Sequence, residues 1–315
     1  MLKSVICDLL GIQYPVFQGA MAWISDADLA AAVSNAGGLG IIAGGNAPTA
    51  VVQEQIRKAR TLTDKPFGVN IMLMSPYAAE IAQMTADEKV AVVTTGAGNP
   101  AKYMPAWKQA GVTVIPVVPS SAIARLMERS GAAAVVAEGG ESGGHVGDLT
   151  TMALLPQVCD AVSIPVLGAG GIADGRGMAA AFMLGACGVQ VGTRFLVAKE
   201  CNVHPTYKAK ILKARDIDTM MTGRRLGHPV RSLKTPFSQE FFKKEYDSSV
   251  SDEELEKFGE GALRLSAIEG DEQHGCFLSG QVAGMVHQEQ TAAEIVLDIV
   301  TGAEARLRQA AQWID

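Results

Sequence analysis

Eight short apolar runs alternate with seven helical stretches along the first two thirds of this 315-residue chain, and that alternation constrains the fold more than any other feature. The runs are Val16–Phe17, Leu39–Ala43, Phe67–Ile71, Val90–Thr94, Val112–Val118, Ala132–Ala137, Pro165–Gly168 and Gly188–Phe195. Between them lie Asp26–Ala36, Ala50–Arg60, Pro76–Met84, Ala101–Ala110, Ser121–Arg129, Thr151–Ala161 and Asp174–Leu184. The runs are apolar throughout, as strands covered on both faces must be. Eight strands joined by seven helices predict a closed parallel (β/α)8 TIM barrel. An open doubly wound sheet is the rival, because local patterns do not register closure. The glycines at nearly every strand end favour the barrel. Ser25-Asp26, Ser75-Pro76 and Asn99-Pro100 read as helix starts.

The pattern changes near residue 200. Residues 204–290 are richer in charge and aromatics, with helices expected at Thr206–Ala214 and Asp252–Ile268. We read residues 1–203 as the barrel, 204–290 as a small, mostly helical subdomain inserted after strand eight and covering the barrel mouth, and 291–315 as a final helix that closes the barrel. Phe237, Phe241 and Phe242 either line a ligand tunnel in the insertion or form its ordinary core.

Composition narrows the partners. Apolar residues make up 48% of the chain, Gly is abundant at 34, and the net charge is −6. With no cluster of Lys and Arg interleaved with aromatics, nucleic acid and acidic membrane surfaces are poor partners. The five cysteines are scattered with no CxxC spacing, which fits a reduced, cytoplasmic setting and neither a disulfide framework nor a zinc site. No signal peptide and no membrane span are expected.

Barrel enzymes carry their sites at the carboxyl ends of the strands. There the chain places Gly19, Ala20 and Met21 after strand one, Asn46 after strand two, and Asn70 on strand three. Gly168, Gly170 and Gly171 follow strand seven, and Gln190, Gly192 and Thr193 follow strand eight. Strand six runs into Glu138-Gly139-Gly140-Glu141-Ser142-Gly143-Gly144-His145, a glycine-rich loop with two carboxylates and one imidazole. Loops seven and eight of a barrel commonly bind phosphate through backbone N–H groups and a helix N-terminus. Glycine permits that close approach, and the Thr193 hydroxyl adds a donor; tight turns alone would also explain these glycines. No GxGxxG opens the chain and no P-loop lysine is present. Flavin mononucleotide or pyridoxal phosphate would suit such a cradle. The latter needs a Schiff-base lysine, and no strand end supplies one. His145 is then the candidate proton carrier, with a reference pKa of about 6.5. Glu138 and Glu141 are ligand contacts or loop solvation, Glu138 the better placed.

These residues resemble the flavin-dependent enoyl-acyl-carrier-protein reductase II family, within the wider nitronate monooxygenase (2-nitropropane dioxygenase) superfamily. The matching segments are Phe17–Ile24, Leu29–Pro48, Asn70–Pro76, Val93–Pro100, Glu138–Val158, Gly168–Ala181, Val189–Phe195 and Thr222–Arg231. Glu141-Ser142-Gly143-Gly144-His145 followed by Thr150-Thr151-Met152 is distinctive of the reductase branch. The resemblance implies an FMN barrel with His145 at the catalytic position. It implies ping-pong reduction of a trans-2-enoyl thioester, on acyl carrier protein or coenzyme A, by NADH or NADPH in bacterial fatty-acid synthesis. It further implies a homodimer and a role for a monovalent cation, for which the residues show no site. The alternatives are a nitronate monooxygenase, using oxygen, and a non-catalytic flavin-binding protein.

Overall fold

The computed structural model describes residue 2 and residues 4–313. Its main sheet holds β1 (Val16–Gln18), β2 (Ile41–Ala43), β3 (Gly68–Met72), β4 (Val92–Gly96), β5 (Thr113–Val118), β6 (Val135–Glu138), β8 (Val166–Ala169) and β9 (Gly188–Val191). A two-residue strand, β7 (Gly144–His145), interrupts the loop after β6. The eight main strands are parallel, in the order β1-β9-β8-β6-β5-β4-β3-β2. A parallel bridge between Phe17 and Leu39 joins the two ends of that order. Gln18 N donates to Leu39 O and Leu39 N to Val16 O, each at 2.9 Å. This is the (β/α)8 barrel that the alternation predicts.

The Gln18 side chain fastens the same seam. It is fully buried. Its Oε1 accepts from Ile41 N at 3.0 Å, and its Nε2 donates to Ser25 Oγ at 2.9 Å. One amide thus ties the first strand, the second strand and the loop between them.

Helices α2 (Ala27–Asn35), α3 (Thr49–Leu62), α4 (Ala78–Asp87), α5 (Met104–Ala110), α6 (Ser121–Arg129), α7 (Thr151–Cys159) and α8 (Gly175–Met183) occupy the predicted intervals. Asp26 caps α2, accepting from Leu29 N at 3.1 Å. The other two start signals fall short. Ser75 accepts from Tyr77 N and Asn99 from Ala101 N, forming turns ahead of helices that begin at Ala78 and Met104. An Asx or Ser turn looks like a helix cap in sequence because both use the same short acceptor.

A helix without a strand before it, α1 (Val5–Leu10), precedes β1. Its Ile6 and Leu10 join Phe17, Leu39, Ile41, Val92, Ile115, Ala134, Val136, Leu167 and Ala169 in one cluster. These strand residues are the inward members of each alternation, so α1 plugs the barrel floor. The opposite faces of the strands pack on the helices.

The last predicted strand ends early. Gly192 turns the chain, and Thr193–Val197 forms a 3-10 turn. Phe195, Leu196 and Val197 are buried nonetheless, so hydropathy alone does not separate turn from strand. Beyond it come α9 (Pro205–Lys213), β10 (Thr219–Thr222), β11 (Val230–Leu233), α10 (Pro236–Glu245), α11 (Asp252–Gly259) and α12 (Ala262–Arg264). The two strands are absent from the sequence reading, which anticipates helices only. Phe237 and Phe241 pack against Phe258 and Leu255 in a small core of their own, while Phe242 lies exposed on Tyr246. The first two are therefore core residues and not tunnel walls.

The closing helix α13 (Ala292–Gln309) begins at a capping box of Thr291 and Glu294. It packs on α8 and α2. A side chain at Gly175 would stand 2.2 Å from Ala303 N, so glycine is what lets α8 and α13 meet. No helix among the described residues is long and apolar enough to cross a membrane, and the five cysteines form no disulfide.

Replacing Gln18 with Leu keeps the volume and removes the seam's side-chain hydrogen bonds. Leaving Ile41 N unpaired costs about 1–3 kcal/mol, so the melting temperature measured by calorimetry is expected to fall by several degrees. An unchanged melting temperature would assign closure to the backbone bridge alone.

Candidate active site

The upper end of the lumen is where the alternation stops being apolar. Val69 and Ile71 face the helices, so Asn70 between them faces inward, and its Nδ2 donates to Thr94 Oγ1 at 2.9 Å. Val189 and Val191 face outward, so Gln190 faces inward, where its side chain lies against Gly19. A Cβ at Gly19 would stand 3.2 Å from Gln190 Cγ. Glu138 follows inward Val136 by two residues. Asn70, Thr94, Glu138 and Gln190 therefore ring the carboxyl end of the lumen, with Gly19 leaving room among them.

Among the described residues no cation pairs with Glu138 to hold it ionised. Ser142 Oγ donates to its Oε1 at 3.1 Å. Desolvation outweighs that bond and pushes the carboxyl up from 4.5 to about 7.

Two other predicted features surround the ring. Gly170 and Gly171 both have positive φ, 84° and 71°. A Cβ on Gly170 would stand 2.6 Å from Gly139 O, so the chain passes too close to loop six for any other residue. Across from it, Gly192 opens onto Met21, whose Sδ is 4.0 Å from the place of a Cβ. The amides of Thr193 and Arg194 begin the 3-10 turn, where no preceding carbonyl can accept from them. Thr193 Oγ1 accepts from Gly280 N at 3.0 Å and keeps its own hydrogen to donate.

The expected helix N-terminus is not available here. Asp174 caps α8, accepting from Arg176 N at 2.8 Å, so a carboxylate already occupies the positive end of that helix. The Gly170–Ile172 and Gly192–Thr193 backbone and the Thr193 hydroxyl are the polar groups left at this end.

Three other predicted residues are placed differently. The missing side chain of Gly168 faces Leu155, Ala181 and Ile172, so that glycine serves packing between β8 and its helices. Asn46 is exposed in the loop after β2. Met21 N donates to Ser25 Oγ at 2.9 Å and Met21 O accepts from Ile24 and Ser25, so its own backbone is occupied by a turn. Ala20 beside it is half-buried against the lumen cluster.

His145 does not sit on a free loop. Gly144 and His145 form β7, which pairs antiparallel with β11 in the register His145–Val230 and Gly144–Arg231. Val146 N donates to Pro229 O at 3.0 Å. Buried Arg231 donates to Gly140 O through Nε at 3.0 Å and Nη2 at 2.9 Å. Glu141 is a structural fastener: both its oxygens accept from Thr151 N, and Thr151 Oγ1 continues to Gly170 O at 2.9 Å. The imidazole remains exposed on one side. Desolvation by its surroundings, and next the His228 imidazole, hold its pKa below the ordinary value.

Ser279-Gly280-Gln281 escaped the sequence reading. A Cβ at Gly143 would stand 2.6 Å from Ser279 C, and Gln281 N donates to Glu141 O at 2.9 Å. This segment joins the His145 loop to Thr193. A lone glycine among loop residues was its only local signal. Among the described residues no group of three or more His, Cys, Asp or Glu side chains is arranged to hold a metal ion.

The family model for nitronate monooxygenase matches residues 3–302. FabK from Thermotoga maritima is 47% identical, with a TM-score of 0.97 and 100% of each chain covered. A nitroalkane oxidase from Streptomyces ansochromogenes is 29% identical, with a TM-score of 0.85 over 98% of this chain and 99% of that one. An octahydroindene-carboxyl-CoA dehydrogenase from Rhodococcus jostii is 33% identical, covering 97% of each sequence. The chain belongs to the nitronate monooxygenase family of oxidoreductases, and within it to the FabK, or enoyl-acyl-carrier-protein reductase II, group. FabK and the nitronate monooxygenases are FMN enzymes. The residues present fit that cofactor: amide and hydroxyl groups stand in the lumen, and backbone amides at Gly170–Gly171 and Gly192–Thr193 could meet a phosphate.

The Glu138 carboxyl gives a pH signature. Between 4.5 and about 7 an unfolded Glu138 ionises while the folded one keeps its proton, so stability falls as pH rises through that window. Glu138→Gln in cofactor-free protein is therefore expected to melt higher than wild type at pH 8 and with little difference at pH 4. A pH-independent difference would show that Glu138 is not desolvated.

Proposed function

We propose that the protein is an FMN-dependent reductase of trans-2-enoyl thioesters that draws its electrons from NADH or NADPH. The observation that carries this reading is the full-length likeness to FabK, at 47% identity. The Rhodococcus relative, named for a CoA-ester substrate, supports a thioester. Bound FMN would supply the hydride relay between nicotinamide and the β-carbon of the enoyl group. Gln190, Asn70, Thr94 and Glu138 would hold its ring and ribityl chain, and the Gly170–Ile172 and Gly192–Thr193 backbone its phosphate. His145 is exposed on its short paired strand. It would deliver the proton that the α-carbon takes up as the double bond is saturated, the role an imidazole near neutrality fills best. We further propose the carrier to be acyl carrier protein or coenzyme A, and the working form a cytoplasmic homodimer.

A second reading, a nitronate monooxygenase, is favoured by the family model and the nitroalkane oxidase likeness. There His145 would accept a proton instead of donating one. The two separate in an anaerobic cuvette. Purified protein is expected to release FMN on heating. NADH or NADPH is expected to bleach its flavin absorbance, and an enoyl-CoA to restore it. Bleaching by a nitronate, with no response to either nicotinamide, would overturn the reductase reading.

A further inference from the structure

The loop between β10 and β11 holds two adjacent arginines that the fold uses in opposite ways. Arg225 is spent on fastening the loop. Its Nε donates to Asp252 of α11 at 2.7 Å, its Nη2 to Val250 O at 2.6 Å, and its Nη1 to Glu245 O and Asp247 O at 3.4 and 3.3 Å. The buried Glu245 carboxylate of α10 accepts from Gly223 N at 3.0 Å and from Arg225 N at 2.8 Å, which fixes the backbone on both sides of Arg224. Gly227 N donates to Arg224 O at 3.0 Å and closes the turn. At the loop's exit Pro229 O accepts from Val146 N, the residue after His145, at 3.0 Å. Arg224 has no comparable employment. Its side chain is 52% exposed, and its nearest carboxylate is that of Asp148, 3.4 Å away and itself 84% exposed. Its other contact is the Met221 sulfur at 3.7 Å, a weak acceptor. An exposed ion pair of this kind adds little to stability. The backbone is thus clamped around an arginine whose fork holds almost nothing.

We propose that Arg224 is a subsite for a phosphate group carried by the substrates, with Asp148 as the partner that a phosphate displaces. Asp148 follows His145 by three residues, a stretch that spans at most about 10 Å. The guanidinium beside it therefore stands apart from the proposed proton carrier, yet within the length of one substrate. Enoyl thioesters of coenzyme A or a phosphopantetheine carrier, and nicotinamide dinucleotides, all hold their phosphates at a distance from the reacting atom. In a ping-pong reaction the two occupy the site in turn, so one cation can serve both. A planar guanidinium suits a phosphate because two of its N–H groups meet two oxygens at once. The chain carries a net charge of −6 and repels polyanions as a whole, which gives a local cation more to do. Arg231, the other arginine beside β7, is buried and donates through Nε and Nη2 to Gly140 O, so it is not free for this task. Arg224 is the cation that the loop holds out to solvent next to the His145 strand.

The inference rests on the enoyl-reductase reading for the identity of the phosphate compounds, and its test needs no turnover. Coenzyme A is titrated into the oxidised holoprotein by calorimetry. Arg224→Gln is expected to raise its Kd about fivefold, the worth of a charge-assisted contact after allowance for solvent exposure. Asp148→Asn removes the competing carboxylate and is expected to lower the Kd. Pantetheine, the same arm without a phosphate, is expected to bind wild type and both variants alike. A second arm measures how flavin reduction depends on NADH concentration. Weakening of coenzyme A alone assigns the subsite to the thioester carrier, weakening of NADH alone assigns it to the reductant, and weakening of both assigns it to each in turn. Unchanged affinity for both ligands in Arg224→Gln, or an equal loss for pantetheine, overturns the proposal. Weakened coenzyme A binding in a protein whose flavin neither nicotinamide reduces and no enoyl-CoA reoxidises would uphold the subsite and overturn the reductase reading instead.

Discussion

The pairing of Gly144 and His145 with Val230 and Arg231 is the interaction on which the proposed active site depends. A glycine-rich loop is cheap to distort, and an imidazole on such a loop would sample many positions. Two ladder partners, the Val146–Pro229 bond and the Arg231 guanidinium on Gly140 O convert it into a short fixed strand. Glu141, bound to Thr151, secures the other end. Removing the Arg231 guanidinium would free a buried carbonyl as well as a strand, which makes the arrangement cooperative.

The barrel supplies the other half of the geometry. Its period-two alternation fills the lower lumen with Val, Ile and Leu side chains, and then presents Asn70, Thr94, Glu138 and Gln190 at the top. Burial without a cation keeps Glu138 near half-protonated at neutral pH. A carboxyl in that state can both donate and accept hydrogen bonds, which suits a ligand carrying hydroxyls and ring nitrogens. The Gly170–Gly171 turn is forced by its approach to Gly139 of the loop after β6.

Much of this was legible in the sequence because it is local. The parallel strands announce themselves as apolar runs, and Asp26 and Thr291 mark true helix starts. Inward placement of Asn70 and Gln190 follows from counting by two along a strand. The remainder depends on partners far along the chain. Nothing near residue 145 signals that its ladder partner lies at Val230, because a two-residue strand has no periodicity to detect. The same holds for Ser279–Gln281 against Gly143, and for α1, whose apolar residues plug a floor built by strands that come later. Gly168 misleads for the opposite reason: a glycine at a strand end looks the same in sequence whether it makes room for a ligand or for a helix.

His145, fixed on its strand, is proposed to deliver a proton to the enoyl substrate. The direct test is rapid-mixing kinetics of His145→Ala, with the two half-reactions measured separately. Flavin reduction by the nicotinamide is expected to persist, since it needs no acid, and reoxidation by an enoyl-CoA to slow by about 10²–10⁴-fold, the usual loss with a positioned general acid. Equal slowing of both half-reactions, or no slowing of the second, would contradict the account.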